Sequence, residues 1–129
     1  MDRKHFEELV GRAVENLPEE FQESLENIDI VVADRPTPEQ LDKQGIGPQD
    51  ILLGLYEGVP QTERSTYYSM VVPDKITIFQ RSIESLYHDE LRIIREIEDV
   101  VKHEIAHHFG ISDARLDELE ENREHNKGH

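Results

Sequence analysis

The sequence contains no cysteine. Disulfide cross-links and thiolate zinc sites are therefore excluded, and any bound metal ion must be held by histidine and carboxylate side chains. The absence of cysteine also suits a protein that works in a reducing compartment.

The sequence also lacks long apolar runs. No segment approaches the roughly 18 consecutive apolar residues that a membrane-spanning helix needs. The N-terminal stretch MDRKHFEELVGRAVENL has the pattern of an acidic amphipathic helix. It does not have that of a signal peptide, in which a charged segment precedes an apolar one. We therefore expect a soluble, cytoplasmic protein without a membrane partner.

Basic residues are scarce. Lysine and arginine total 14 against 29 aspartates and glutamates, which gives a formal net charge of −15. Such a surface repels phosphate backbones and anionic lipids, so we expect no nucleic-acid partner. The same charge favours solubility and attracts divalent metal ions.

The length of 129 residues and the hydrophobic share of 36% fit one domain with a modest core. We interpret 1–129 as a single domain whose last residues, 120–129, form a frayed polar tail. A bound metal ion would stabilise such a domain, because it binds the folded state preferentially. The sequence leaves the oligomeric state open.

Apolar periodicity divides the chain into helical and extended segments. Apolar residues at steps of three and four predict helices, and runs rich in β-branched residues predict strands. The predicted elements are helices at 3–17 and about 86–109, short helical pieces in PEEFQESL and ARLDELEEN, and strands at 28–34, 51–58 and 75–80. The segment 35–50 contains three prolines and two glycines and is interpreted as a loop. This order predicts an α+β fold with helices on one face of the sheet.

The most informative stretch is HEIAHHFGISD, residues 103–113. His103 and His107 lie four residues apart, so on a helix they point the same way and can ligate one Zn²⁺ ion. Glu104 lies beside the metal, where it can polarise the zinc-ligated water and pass the proton to a leaving group. This is the HExxH metallopeptidase pattern.

The preceding turns of this helix carry an apolar stripe made of Ile94, Ile97, Val101 and Ile105. The stripe lies roughly opposite the direction of the histidines, so the helix can bury one side and expose the other. We therefore interpret His103 and His107 as ligands and not as core histidines.

A catalytic zinc ion needs three protein ligands and an open position. Gly110 can end the helix with a positive φ and turn the chain back towards the metal, which makes Asp113 the expected third ligand. The rivals are later glutamates that a following helix could supply: Glu118, Glu120, Glu121 and Glu124.

HEIAHHFGISD, preceded by a hydrophobic helix and by LLGLYEGVPQTERS and PDKITIF, resembles a family of small bacterial zincin-like proteins, the minimal zincins. The resemblance extends over about residues 28–120. It implies a zinc metallopeptidase with a stripped-down, metzincin-like fold, built from a small mixed sheet and an active-site helix. It places zinc on His103, His107 and Asp113, with Glu104 as the general base.

The sequence departs from full metzincins in two ways. Metzincins carry a third histidine where Asp113 stands, and a methionine turn follows their active-site helix. Here the two methionines, Met1 and Met70, both precede the helix. The hydrophobic base beneath the metal is therefore missing.

Two interpretations stay open for a predicted strand segment and for a pair of tyrosines. Gly54, Leu55 and Tyr56 lie on a predicted strand that could bind an extended peptide by strand addition, or could be an ordinary sheet strand. Tyr67 and Tyr68 could donate to an oxyanion, although packing explains them as well.

Further polar side chains are better explained by structure. We interpret Arg64 as part of an internal ion pair near the site. His108 points about 100° away from His107 and is interpreted as a packed, hydrogen-bonded histidine. His125 and His129 belong to the polar tail.

The leading hypothesis is a zinc-dependent endopeptidase that hydrolyses peptide or protein substrates through water activated by Zn²⁺ and Glu104. A competing hypothesis is a zinc-stabilised protein-binding module with little or no turnover. A third is a metal hydrolase that acts on a non-peptide amide, because the site alone does not identify the bond.

Overall fold

The structure is a computed structural model that describes residues 1–47, 50–58, 73–110 and 118. Its elements, in chain order, are α1 Arg3–Glu15, α2 Glu19–Ser24, a 3-10 turn Leu25–Asn27, β1 Ile28–Ala33, α3 Pro38–Lys43, β2 Gly54–Glu57, β3 Asp74–Phe79, α4 Gln80–Leu86 and α5 Glu90–Phe109. The fold is α+β, as predicted. Among the described residues, no helix is long and apolar enough to cross a membrane.

Helix α1 forms where the periodicity predicts it. The Asp2 side chain caps its N-terminus by accepting a hydrogen bond from His5 N–H at 2.7 Å. Four apolar side chains on one face are buried: Phe6, Leu9, Val10 and Ala13. They join the core formed with α5, so α1 covers part of the apolar stripe of the long helix.

The three strands form one mixed sheet in the order β1-β3-β2. β1 runs parallel to β3, whereas β2 runs antiparallel to it. Side chains that share a register position lie on the same face of a sheet. Gly54, Tyr56, Ile76 and Ile78 therefore share one face with Ile30, and this is the face on which α5 packs.

Gly54 is required where β2 meets α5. A Cβ atom at this position would lie 2.3 Å from Val100 Cγ1 and 3.2 Å from the Thr77 carbonyl oxygen. The sequence predicts a bulge or a close approach by a backbone here. The structure shows a close approach instead by a helix side chain, which brings the end of α5 against the edge of the sheet.

Helix α5 agrees with its sequence pattern. The Asp89 side chain caps it by accepting from Arg92 N–H, and Gly110 ends it in the left-handed region at φ 70°. The predicted apolar stripe is buried: Ile94, Ile97, Val101 and Ile105. His103 and His107 lie on the exposed side, as predicted.

Two short helices contradict the predictions. The segment interpreted as a loop contains α3, whose Thr37 and Gln40 form a reciprocal capping box. The chain is also helical before residue 86, because α4 follows directly on β3 and breaks at Tyr87 before α5 begins.

The strand predictions need adjustment at their ends. β1 is an edge strand with Val31 39% exposed, and not a buried strand. β2 begins at Gly54, three residues later than predicted. The predictions for 59–72, and for the last short helix apart from Glu118, lie outside the described residues.

Candidate metal and catalytic site

The last two turns of α5 bring three polar side chains to one end of the molecule. The His103 and His107 rings are both exposed, with centroids 6.5 Å apart and planes at 70°. Glu104 is half-buried between this surface and β2. The opposite side of these turns holds Val101 and Ile105 in the core, so packing fixes the direction in which the histidines point.

A backbone carbonyl sets the tautomer of His103. Its Nδ1 lies 2.7 Å from the Asp99 carbonyl oxygen, one helical turn earlier. A carbonyl oxygen only accepts, so Nδ1 carries the proton and Nε2 keeps its lone pair. Ligating histidines commonly have their second nitrogen engaged in this way. His103 is thus prepared to bind a metal ion through Nε2.

The Glu104 carboxylate is held by the sheet. Its Oε2 accepts a hydrogen bond from Tyr56 N–H at 3.0 Å, across 48 residues of sequence. Burial raises the pKa of the Glu104 carboxyl above its ordinary value. The hydrogen bond from Tyr56 and the imidazoles of His107 and His103 oppose this rise. A half-buried carboxyl with a raised pKa suits a group that takes up and releases a proton.

A shallow cleft of about 370 Å³ runs along the start of β2 and ends at these side chains. Its lining consists of Leu52, Leu53, Gly54, Glu96, Asp99, Val100, His103 and Glu104. The cleft therefore joins the edge of the sheet to the possible metal ligand and to the possible base.

The predicted substrate strand divides its side chains between two faces. Phe79 N–H donates to the Leu53 carbonyl at 3.0 Å, so alternate residues of this segment pair with β3. The backbone groups of Gly54 and Tyr56 then point away from β3. Gly54 lines the cleft, and Leu55 is buried on the opposite face. The role of these residues in substrate binding stays a prediction.

Tyr56 is held in place by contacts of its side chain as well as by its backbone. Its hydroxyl donates to Asp74 Oδ2 at 2.6 Å, and its ring stacks on His108 with centroids 3.9 Å apart and planes at 14°. His108 is exposed and also meets Phe109 edge-on. His108 was expected to be packed and hydrogen-bonded; it does pack on an aromatic ring, but it lies at the exposed surface, and its hydrogen bonding stays a prediction.

Sequence reasoning did not find two of these contacts. The bond from His103 to Asp99 follows a spacing of four residues, a local signal that could have been read from the motif. The bond from Tyr56 to Glu104 has no local signal, because it depends on how β2 lies against α5.

The predicted third ligand, Asp113, lies outside the described residues, as do the rivals Glu120, Glu121 and Glu124. Within the ranges that the structure describes, no three His, Cys, Asp or Glu side chains form a group that could hold a metal ion. Glu118, the one rival that is described, forms no such group with the histidines. The two imidazoles nevertheless fit part of a zinc site, since zinc prefers nitrogen donors in the absence of thiolates.

A model of the zincin-like metallopeptidase family matches residues 25–123. The chain belongs to this family. The match spans the sheet, α5 and the complete HEIAHHFGISD segment, so the zincin-like assignment includes every element that forms the candidate site.

The zincin-like chain is also similar to a solved structure of a conserved hypothetical protein from Thermo thermophilus. The two share 22% sequence identity with a TM-score of 0.53, over 84% of this chain and 94% of that chain. This likeness shows a shared fold. No curated protein matches the chain.

Proposed function

We propose that this protein is a zinc-dependent metalloendopeptidase that hydrolyses peptide bonds. The observation that carries the proposal is that His103 and Glu104 lie at the end of a cleft along a sheet edge, with the His107 ring 6.5 Å from that of His103. Membership of the zincin-like metallopeptidase family supports the same reaction class. The stripped-down metzincin architecture belongs to this proposal too.

His103 and His107 would hold the metal through their imidazole nitrogens, and Asp113 would complete the ligand set. The Nδ1 proton of His103, donated to the Asp99 carbonyl, leaves Nε2 as the ligating atom. The left-handed turn at Gly110 supports Asp113, because it ends the helix three residues before the aspartate. A bound Zn²⁺ ion would supply Lewis acidity for the scissile carbonyl and would lower the pKa of the attacking water.

Glu104 is the proposed catalytic base. It would accept a proton from the attacking water as the water adds to the carbonyl carbon, and would then deliver that proton to the departing amine. Burial raises the pKa of this carboxyl in the metal-free protein, which favours the protonated form that the second step requires. The Tyr56 N–H keeps its carboxylate directed along the cleft.

The proposed substrate site is the edge of β2. An extended peptide could add to this edge, with Gly54 lining the cleft and with the buried Leu55 anchoring the strand. Tyr56 would define the end of this edge beside Glu104. Among the described elements, no strand pairs with this side of β2.

The decisive experiment replaces the proposed base. Glu104→Gln should lower cleavage of a broad peptide library by about 10²–10⁴-fold, because general acid–base catalysis contributes that much. Zinc content, measured by atomic absorption, should stay at the wild-type level. Glu90→Gln, at the start of the same helix, is the matched control. Undiminished cleavage by Glu104→Gln at full zinc content would remove Glu104 from the mechanism.

A second candidate is a zinc-stabilised protein-binding module. The observation that favours it is the occupied Glu104 carboxylate, which already satisfies the Tyr56 N–H at 3.0 Å. In that case Glu104 has a structural role, linking α5 to β2, and does not act as a base. Absence of cleavage from the whole library by zinc-loaded wild-type protein would favour the module, and cleavage abolished by a chelator would exclude it.

A further inference from the structure

The hydrogen bond that holds the Glu104 carboxylate within the described part of the chain comes from a backbone group. The Glu104 Oε2 atom accepts from Tyr56 N–H at 3.0 Å. The direction of the carboxylate therefore depends on where the backbone of β2 lies at residue 56. β2 has only four residues, so the position of residue 56 depends on the contacts of its own side chain as well as on the pairing with β3.

Two side-chain contacts fix it here. Tyr56 lies opposite Ile76 in the register, so Asp74 is its diagonal neighbour on the same face, and the phenol hydroxyl donates to Asp74 Oδ2 at 2.6 Å. The face of the ring stacks on His108, with centroids 3.9 Å apart. One contact ties Tyr56 to β3, and the other ties it to α5.

The stacking contact connects Tyr56 to the helical turn that also carries a proposed metal ligand. His108 directly follows the proposed ligand His107, and its ring lies on the residue whose N–H holds Glu104. Tyr56 thus contacts α5 at two points, one turn apart. The stack limits sliding of β2 along the helix, and the phenol bond limits rotation of the strand about its own axis.

We propose that Tyr56 is a positioning residue for Glu104, and that Asp74 and His108 hold it in place. This proposal rests on the proposed peptidase function, because it assigns how the base of that reaction is oriented. Tyr56 does not act on the substrate through its side chain in this assignment. Its phenol hydroxyl and its ring hold the backbone N–H in position, and this N–H in turn orients the Glu104 carboxylate.

The test compares Tyr56→Phe with wild type in zinc-loaded enzyme. The variant keeps the stacked ring and loses the bond to Asp74, so kcat should fall about 5- to 20-fold with KM within about twofold, since small misplacements of a catalytic group carry such costs. Zinc affinity should be unchanged. Asp29→Asn, on β1 at the far edge of the sheet, is the control and should leave kcat unchanged.

A double variant separates positioning from general damage. If Tyr56 acts through Glu104, then adding Tyr56→Phe to Glu104→Gln should not lower the residual rate further. An equal fold-loss in both backgrounds would overturn the proposal, and so would a change in zinc affinity. His108→Ala offers a second route, with a smaller loss in kcat that His108→Phe should restore by rebuilding the stack.

A measurement that does not depend on catalysis separates this test from the test of the peptidase function. Hydrogen exchange of the Tyr56 amide, followed by NMR on the whole protein, should accelerate in Glu104→Ala and in Tyr56→Phe but not in Asp29→Asn. If the wild-type protein cleaves no peptide but exchange of the Tyr56 amide accelerates in both variants, the peptidase function is excluded. The role of Tyr56 in positioning Glu104 is then still supported. Exchange unaffected by either variant overturns the positioning role, whether or not cleavage occurs.

Discussion

The two edges of the sheet differ in how closely a helix approaches them. At the β1 edge, an apolar groove separates the strand from α1, and a Cβ atom at Gly11 of that helix would meet nothing within 4 Å. At the β2 edge, α5 lies so close that Gly54 leaves no room for a methyl group. The polar side chains of the candidate site gather only at the second edge. Tight packing there lets a side chain from the helix reach a backbone group of the strand.

The largest effect is expected from removing a predicted metal ligand at the β2 edge. His107→Ala should weaken zinc binding by more than about 100-fold, because losing only an outer partner of a ligand costs 10–100-fold. Isothermal titration with zinc measures the change. Asp29→Asn, at the β1 edge, should leave zinc affinity as it is. An equal loss in both variants would show that the metal does not bind at the β2 edge.

The second comparison uses one methyl group at each edge. Gly54→Ala should destabilise the protein by about 1–3 kcal/mol, because it overpacks the contact with Val100. Gly11→Ala should stabilise it by about 0.5–1 kcal/mol, because alanine is the better residue in a helix with open space around it. Urea unfolding measures both. The same sign of change in the two variants would contradict the difference in packing.

The pH dependence of stability gives a smaller effect at the tight edge. Burial raises the pKa of Glu104 in the folded state, so the metal-free folded protein binds more protons than the unfolded chain between the two pKa values. The free energy of unfolding should therefore fall as pH rises through this window and level off above it. Glu104→Gln should lack this fall. A constant difference in unfolding free energy between variant and wild type across the window would contradict the raised pKa.

The smallest effect is expected at the open edge. Val31 is 39% exposed on β1, so Val31→Thr should change the free energy of unfolding by no more than about 0.5 kcal/mol. Zinc affinity and peptide cleavage should both remain at wild-type levels. A loss of cleavage in this variant would mean that the two edges are coupled.

Local patterns explain most of what the sequence predicted correctly. The spacing of Ile94, Ile97, Val101 and Ile105 predicts α5 and its exposed side, because both follow from the 3.6-residue period. Gly110 likewise marks the end of the helix through its own conformation.

The predictions that failed depended on competing local signals or on distant contacts. The prolines and glycines of 35–50 indicated a loop, so α3 was not predicted. The Thr37 and Gln40 pair that caps this helix was nevertheless present in the sequence. The contact between Tyr56 and Glu104 could not be predicted, since its partners are 48 residues apart and meet only through the packing at Gly54. The third zinc ligand stays a prediction at Asp113.

The register of β2 against β3 has a consequence for folding accuracy. Alternate residues of a strand point their N–H groups in opposite directions, so a slip of one residue would turn the N–H that meets Glu104 towards β3. The same slip would place Leu53 or Leu55 against α5 in the space that only a glycine fits. A chain that pairs its strands wrongly therefore cannot close its helix onto the sheet, and the packing that assembles the candidate site also rejects the misfolded form.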